Sequence, residues 1–389
     1  MANTLTSLIP TIYAALDVVS RELVGFIPAV SRDSSDVERA ALNQSVLVPI
    51  VPAASTGENT PAVTPPDTGD QTIGNTEITI SKSKHVPIRW NGEQTKGMLN
   101  AGSYNKVLQD QFSQAFRTLT NLIEVDLGST YKFGSRAVGL AGTAPFATAG
   151  NFTDAANVRR ILDENGAPQS DLQLVLSHSA MANLRGVQSS LFKVNEAGSD
   201  AMLREGRVDS LQGFAIRSSG QVATHTIGTA DADYDVDLLA GYAVGDTTVH
   251  LDTGTGTHVD GDVITFAGDP NNYVIGTGAA GNGDKDLVLN QPGLRQTLAD
   301  GVSCDIADDA STWKANLAFH RSAIVLATRL PAMPQGGDSA EDMITVVDPV
   351  SGLAFEIAVY RQFLQVSYHV RIAWGWKAIK PAHIAVLMG

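Results

Sequence analysis

Two Asp-Thr-Gly triplets are the residues of this chain whose type suggests hydrolytic chemistry. They begin at Asp67 and Asp252, 185 positions apart. Bilobal aspartic proteases use two such loops, because two carboxylates that share one proton can act as acid and base. The first triplet follows Pro65-Pro66 in polar sequence, where a protease needs an apolar strand, and the second leads into a Gly-rich turn. We interpret both triplets as turns, with a protease as a disfavoured alternative.

A glycine-rich stretch over residues 276–281, GTGAAG, matches the spacing of a dinucleotide-binding fingerprint and follows the strand-like YVI. That chemistry needs a helix to begin at the glycines, so that its free backbone N–H groups can hold a pyrophosphate. Here Asn282, Gly283 and Asp284 give a turn signal instead. We interpret the stretch as a loop between two strands and expect no cofactor.

Four aspartates alternate in the segment DADYDVD, at positions 231, 233, 235 and 237. Alternation places their carboxylates on one side of an extended chain, where they suggest calcium binding. The calcium-loop pattern nevertheless lacks its glycine at position six and its closing glutamate. We interpret the segment as a solvated acidic loop, with an adventitious cation site as the alternative.

The eight histidines show no metal-ligand spacing. His178 lies between Ser177 and Ser179, but no Gly-x-Ser-x-Gly elbow surrounds it, and we expect it to begin a short helix. We therefore assign no catalytic residue, no metal ligand and no cofactor-binding residue, and we do not expect an enzyme.

Length and composition favour a large globular protein. The chain has 389 residues, of which 43% are hydrophobic and 17% charged, enough for about two or three domains. No apolar run reaches the ~18 residues that a membrane span needs, and Asp17 interrupts an N-terminal stretch without a basic leader, so we expect neither membrane insertion nor a secretory signal. The single Cys304 excludes an internal disulfide framework and favours a reducing compartment.

The negative charge is concentrated in one segment. Residues 220–312 contain fifteen Asp, no Glu, one Lys and one Arg, which gives −13 of the net −14 of the chain. The rest of the chain is almost neutral. The absence of a strong basic field argues against sequence-specific nucleic-acid binding.

The longest helical pattern covers residues 103–127. Its apolar residues recur at steps of three or four and share one stripe: Leu108, Phe112, Ala115, Leu119, Leu122 and Ile123. We expect Ser103 to cap its start and Gly128 to end it in the left-handed conformation. Its length of roughly 37 Å is about twice that of a usual globular helix. The alternatives are an ordinary core helix and a long strut.

The neighbouring segments differ in texture. Residues 1–30 contain a short amphipathic helix. Residues 44–97 predict two strands that flank a long polar tip, either a projecting hairpin or a surface linker. Residues 129–219 mix helices and strands, and residues 313–389 alternate in long antiparallel strands. Residues 220–312 predict a small inserted β-sandwich or barrel, with strands over residues 247–251, 262–266, 272–275, 286–289 and 303–306.

Three stretches, with this order of elements, resemble one family. They are ANVRRILDENGAPQSDLQLVLSHSAMANL, VDGDVITFAGDPNNYVI and FEIAVYRQFLQVSYHVRIAWGWKAIKPAHIAVL. The chain resembles the major capsid (coat) protein of tailed double-stranded-DNA bacteriophages with the Hong Kong 97-type fold, in the branch that carries a β-rich insertion domain. The resemblance covers nearly the whole chain, although no single motif is diagnostic.

The resemblance implies an α+β fold with a long spine helix, an extended β-hairpin arm, peripheral and axial domains, and an inserted small β-barrel. The implied divisions are 1–43 as N-terminal arm, 44–97 as extended β-loop, 98–150 as peripheral domain with the spine helix, 151–219 as the first part of the axial domain, 220–312 as the acidic β-barrel insertion domain, and 313–389 as the second axial and peripheral part.

The implied function is that of a structural subunit that self-assembles, as pentamers and hexamers, into an icosahedral capsid around packaged double-stranded DNA. The implied partners are further copies of the chain, scaffolding and portal proteins, a decoration protein, and DNA held non-specifically on the inner face, with no membrane. The implied location is the virion capsid, assembled in the bacterial host cytoplasm. The alternatives are an encapsulin-like shell protein of a cellular nanocompartment and a phage decoration or adhesin protein.

Overall fold

The computed structural model describes residues 8–20, 25–33, 38–50, 56, 58–61, 63–64, 72–100, 104–188, 208–230, 234–307, 311–348 and 351–389. Helices and strands both contribute, so the α+β content expected from the sequence is confirmed. The helices are α1 (Ile9–Ser20), α2 (Gly92–Asn100), α3 (Tyr104–Gly128), α4 (Thr153–Glu164) and α5 (His178–Gly186).

The strands of the described residues are β1 (Ser31–Arg32), β2 (Arg39–Ala40), β3 (Ser45–Ile50), β4 (Gly74–Thr79), β5 (Lys82–Asn91), β6 (Arg136–Gly139), β7 (Leu172–Leu176), β8 (Ser210–Leu211), β9 (Phe214–Ser218), β10 (Thr224–Thr226), β11 (Tyr234–Val236), β12 (Thr248–Asp252), β13 (Val263–Phe266), β14 (Asn272–Thr277), β15 (Lys285–Leu289), β16 (Ser303–Ile306), β17 (Thr312–His320), β18 (Ile324–Pro331), β19 (Asp342–Val347), β20 (Ala354–Gln362), β21 (Gln365–Ala378) and β22 (Ile384–Met388).

The long helix forms where its stripe predicts it. The buried residues include Leu108, Phe112 and Ile123, each fully covered. Leu122 is the exception, because it is 40% exposed, and Phe116 is buried instead. At about 100° per residue, Leu122 lies at one margin of the stripe and Phe116 at the other, and the packed sheet covers only the second.

The end of this helix differs from the expectation. Gly128 has φ −59° and ψ −29°, so it is right-handed, and the chain continues as a 3-10 helix over Ser129–Phe133. Glycine is needed here for space, because a Cβ at Gly128 would lie 2.6 Å from the carbonyl oxygen of Gln221. The expected cap, Ser103, lies outside the described residues.

A seven-stranded sheet packs against α3. Its order is β1-β18-β21-β20-β19, with β2 also on β18 and β5 also on β21. The helix meets the sheet through aromatic pairs, with 5.7 Å between the ring centroids of Phe112 and Tyr368 and 5.0 Å between those of Phe116 and Phe355. Such edge-to-face pairs add specificity to the apolar burial that holds the two layers together.

The predicted hairpin is present, but it is shorter than residues 44–97. Strands β3 and β4 pair with each other alone, with Ser45 opposite Thr79 and Ile50 opposite Gly74. Residues 82–91, which the sequence assigned to the same projection, form β5 and pair with β21 over ten residues. We call residues 45–81 the arm from here on.

A second sheet carries the remaining body strands and the inserted barrel. Strands β8, β9, β7, β17, β22 and β6 follow one another in its order, and β10 pairs with β17. Helices α4 and α5 share a core with these strands, built from residues such as Val158, Leu174 and Leu184. Strand β6 then continues into the barrel through β14.

The predicted barrel is confirmed and is closed. Its six antiparallel strands pair in the ring β13-β16-β11-β12-β15-β14, and β14 pairs back with β13. The five expected strands are all in it. The sixth, β11, corrects the interpretation of DADYDVD as a loop over residues 234–236, because Tyr234 and Val236 are buried inside while Asp235 is only half-buried. Within these three residues the alternation is that of a barrel strand with one solvent-facing side.

Candidate assembly surfaces

Among its described residues, the arm is anchored to the seven-stranded sheet at its base. Ile78 and Ile80 are fully buried against Ala327 and Ala373 of the seven-stranded sheet. Further out, Leu47 is 59% exposed. A two-stranded ribbon with exposed apolar residues is marginally stable by itself, so an ordered arm needs a surface to lie on.

All charged residues of the arm are acidic. It contains Glu58, Asp67, Asp70 and Glu77 and no Lys, Arg or His, which gives a formal charge of −4. Near the base, Ser45 Oγ donates to Glu77 at 3.2 Å, and the Lys377 ammonium donates to the Glu77 backbone carbonyl at 3.2 Å. A complementary surface for the arm should therefore be basic and partly apolar.

A groove with these properties lies between α2 and the turn that joins β20 to β21. Its volume is about 510 Å³, and the charged residues that line it are Lys96 and Arg361, of which Arg361 forms an ion pair with Glu341. Beside it the hairpin turn consists of Phe363 and Leu364, which are 90% and 75% exposed, and Leu99 of α2 is 58% exposed. Large exposed apolar residues around a concave surface mark an interaction site.

The turn itself is unfavourable in isolation. Leu364 has φ +55°, and the two-residue hairpin connections of proteins favour Asn, Asp and Gly at such positions. A bulky residue in this conformation costs energy, and such strain concentrates at functional sites. The turn therefore supports a contact role for this edge of the groove.

The N-terminal segment is held by a carboxylate in the middle of the subunit. Glu124 of α3 accepts hydrogen bonds from the backbone N–H of Phe26 at 2.9 Å, from the N–H of Ile27 at 2.7 Å and from Ser219 Oγ at 2.9 Å. Burial raises the pKa of Glu124, and these hydrogen bonds and Arg217 oppose that rise. Because two consecutive backbone N–H groups donate to one carboxylate, the path of the chain after α1 is fixed.

Ion pairs continue this attachment along β18. Asp33 pairs with Arg329, and Arg39 pairs with Glu356, which also accepts from Arg371. Glu356 is 1% exposed, and two guanidinium groups compensate its buried charge. Residues 8–20, 25–33 and 38–40, which the resemblance assigns to an N-terminal arm, thus pack on their own subunit.

The barrel is joined to the body by a buried polar contact. His225 Nε2 lies 2.7 Å from Asp262 Oδ1, and His225 Nδ1 lies 2.8 Å from the Tyr131 hydroxyl. A carboxylate accepts hydrogen bonds, so His225 Nε2 donates to Asp262, and the ring lies between Asp262 and the Tyr131 hydroxyl. Burial, with Asp262 nearby, raises the pKa of Tyr131 to about 12. Sequence analysis missed this contact because its members are 94 and 37 residues apart.

The described residues of the motifs that suggested chemistry lie in separate elements. Asp252 ends β12, and Thr253 follows at φ +66° in a turn, whereas Asp67 lies outside the described residues. Residues 276–281 run from β14 into the loop before β15, and His178 begins α5, where the Ser177 side chain accepts from the Ala180 N–H. Asp231 and Asp233 lie outside the described residues.

The described residues contain neither a candidate metal site nor a candidate membrane-spanning helix. No group of three or more His, Cys, Asp or Glu side chains in this part of the chain has a geometry suited to a metal ion. Within the same described part, no helix combines the length and apolar character needed to cross a bilayer.

No protein-family model matches the chain, and no curated protein sequence matches it. Among solved structures, it is similar to the capsid of the cyanophage P-SCSP1u, at 12% identity over 92% of this chain and 86% of that chain, with a TM-score of 0.47. It is similar to the mature capsid of bacteriophage PhiM1, at 12% identity over 91% and 85%, with a TM-score of 0.40. It is also similar to a virus-like particle from Pyrococcus furiosus, at 12% identity over 97% and 98%, with a TM-score of 0.42.

Proposed function

We propose that this chain is the major capsid subunit of a tailed double-stranded-DNA bacteriophage and has the Hong Kong 97-type arrangement. The observation that carries the proposal is the presence of an acidic arm and of a groove lined by Lys96 on the same molecule. An arm of charge −4 cannot bury its apolar residues alone, and the groove beside Lys96 offers a cationic, apolar surface. A surface and its complement on one chain produce a closed ring or lattice when each arm lies on the next copy.

In this assembly the helix α3 is the spine of the peripheral domain, the sheet with α4 and α5 belongs to the axial domain, and the barrel is mounted on the outer surface. Many weak contacts summed over a closed shell give stability without any strong pair. An outward position for the acidic barrel keeps its charge of −13, counted over residues 220–312, away from packaged DNA.

The proposal includes partners and a location. Copies of this chain form pentamers and hexamers, scaffolding and portal proteins act during assembly, a decoration protein binds outside, and DNA meets the inner wall without sequence specificity. Assembly takes place in the bacterial host cytoplasm, and the product is the virion capsid. The nearly neutral body suits an inner wall that does not grip DNA, since non-specific DNA affinity grows with the number of phosphate contacts.

Electron microscopy of the purified full chain tests the proposal. We expect closed icosahedral particles from the native chain, and only folded, soluble subunits after deletion of residues 55–75. Normal shells from the deletion would refute the role of the arm, and discrete small oligomers from the native chain would refute the shell function.

A charge swap tests the arm and groove more sharply. Lys96→Glu should reduce shell yield, because an arm of charge −4 would then meet an acidic residue, and Glu58→Lys with Asp70→Lys in the arm should restore part of it. Lys106→Glu, on the exposed side of α3, is the matched control and should assemble normally. Equal shell yields from both lysine variants would exclude this groove as the docking surface.

A further inference from the structure

Strand β19 is an open edge of the seven-stranded sheet. It pairs with β20 alone, and no other strand within the described residues lies against its far side. Alternate N–H and C=O groups of such a strand point outward without a ladder partner. Its sequence, DMITVV, favours strands and contains neither Lys nor Pro, the residues that commonly guard an edge.

The contrast with β5 shows that the chain does guard an edge elsewhere. Strand β5 also has one strand neighbour among the described residues, β21, and it carries Lys82, Lys84 and Pro87. Proline cannot donate to a ladder, and lysine resists burial, so β5 is protected against strand addition. An unguarded β19 in the same sheet is therefore suited to a partner strand.

The exposed face of β19 is nearly symmetric about its middle. Met343 and Val347 are 38% and 40% exposed, and Thr345 lies exposed between them. The opposite face is turned to the core, where Val346 is fully buried. Along the solvent-exposed face, the order of residue types is apolar, Thr, apolar in either chain direction.

We infer that β19 pairs antiparallel with β19 of a second copy of this chain, about a two-fold axis through Thr345. A two-fold axis perpendicular to the sheet keeps each face on its own side, so only residues of one face can oppose each other. This register places Thr345 opposite its copy and Met343 opposite Val347 on both sides. Thr–Thr and apolar cross-strand pairs stabilise a sheet.

The charged residues at the ends of β19 limit the length of this pairing. Glu341, before the strand, pairs with Arg361. Asp348, after the strand, accepts from the Ser351 N–H. Because the register would place Asp342 opposite Asp348 of the other copy, and like charges repel, the paired segment is residues 343–347.

The pairing goes beyond the shell function and does not require it, because it would join the two sheets into one of fourteen strands in an isolated dimer as well. Within a shell it would supply a contact at two-fold positions. The contact is isologous: the same strand serves both copies.

Disulfide trapping in the full chain tests the register. The natural Cys304 is buried, so an introduced surface thiol is the accessible one. Directly opposite residues in antiparallel strands have Cα atoms roughly 4.5–5.5 Å apart, which suits a disulfide. Thr345→Cys should give a covalent dimer on mild oxidation. Thr248→Cys, at an exposed threonine of barrel strand β12, is the control and should not.

Two further variants separate this register from random collision. Met343→Cys alone and Val347→Cys alone should stay monomeric on oxidation, whereas the two chains co-expressed should form a mixed dimer. When the Met343→Cys chain and the Val347→Cys chain each also carry Thr345→Lys, the yield of the mixed dimer should fall at least tenfold. Two lysines would then meet on the two-fold axis.

The outcomes are distinct from those of the shell test. A Thr345→Cys dimer yield no greater than that of Thr248→Cys overturns the edge pairing, even when closed shells form. A specific dimer in a preparation without closed particles supports the edge pairing and refutes the shell function alone.

Discussion

The indole Nε1 of Trp374 donates a hydrogen bond of 2.7 Å to a carboxylate oxygen of Asp126. The other oxygen of Asp126 accepts from the Lys82 ammonium at 2.5 Å. Trp374 is in the central strand β21, Lys82 begins β5, and Asp126 is near the end of α3. One carboxylate therefore ties two strands of the seven-stranded sheet to α3, at the position where the arm leaves the sheet.

Replacing Asp126 should weaken this junction. Asp126→Ala leaves the buried indole N–H without an acceptor, which should lower the free energy of unfolding by about 2–3 kcal/mol. Lys82 can return to water because its side chain is 43% exposed. Urea denaturation followed by tryptophan fluorescence measures the change. Asp110→Ala, on the exposed side of the same helix, should change stability by less than about 0.5 kcal/mol. Equal effects from both variants would contradict this account.

Glu124 should make stability depend on pH. Its pKa is raised above the ordinary value of 4.5, mainly by burial, so the folded protein holds this proton to higher pH than the unfolded chain. Stability from this group is therefore greatest below the unfolded pKa and declines as pH rises through the folded pKa. Glu124→Gln cannot ionise and should lack this decline.

The native protein and Glu124→Gln should differ in stability, and the sign of the difference is defined. Glu124→Gln should be less stable at acidic pH, by about 1–2 kcal/mol, because its amide nitrogen cannot accept from the N–H groups of Phe26 and Ile27. The difference in free energy of unfolding between the native protein and Glu124→Gln should narrow as pH rises from below 4.5 toward neutrality. Urea midpoints across that range measure it, with the exposed Glu93→Gln as the control. A difference that widens with pH would show that the hydrogen bonds outweigh burial.

The polar contact beneath the barrel should be needed for its attachment. Asp262 is fully buried and accepts from His225, Gly228 and Val259. Asp262→Ala leaves these donors unpaired and should cost about 3–5 kcal/mol. Hydrogen exchange should rise in β10 and β13 first. Asp305→Ala, on the outer face of β16, is the control, and equal protection in the two variants would be inconsistent with this role.

The barrel should be removable at a defined point. The Ile227 N–H donates to the Ser311 carbonyl at 3.2 Å, so the two ends of the insert are adjacent. Replacing residues 228–310 by a Gly-Ser link should leave a folded body, with lower stability because Arg136 loses its bond to Asn271 and His225 loses its bond to Asp262. Far-ultraviolet circular dichroism and thermal melting measure both effects. A cut at residue 222 should be worse, since it also removes β10 from β17. A body that unfolds in the first variant would show that the barrel is part of its core.

The α+β class and the long helix could be predicted because their signals are local. A stripe of period 3.6 needs only its own residues, and the five predicted barrel strands were recognised by alternation and turn signals. Local signals also explain the errors. Leu122 fits the stripe by spacing, yet its burial depends on which side the sheet covers. Glycine commonly ends helices, but at position 128 it is required because the backbone of Gln221 leaves no room for a Cβ.

Some properties of the candidate surfaces follow from the sequence, and others depend on the fold. The negative charge of residues 45–81 and the acidity of residues 220–312 follow from the amino-acid sequence alone, since charge is a property of composition. The three-dimensional fold is needed to show that β11 closes a barrel, that Asp126 accepts from Trp374, and that β19 is an edge strand. Strand pairing and buried polar contacts join residues far apart in sequence, and their partners are chosen by packing of the whole chain, which no local pattern records.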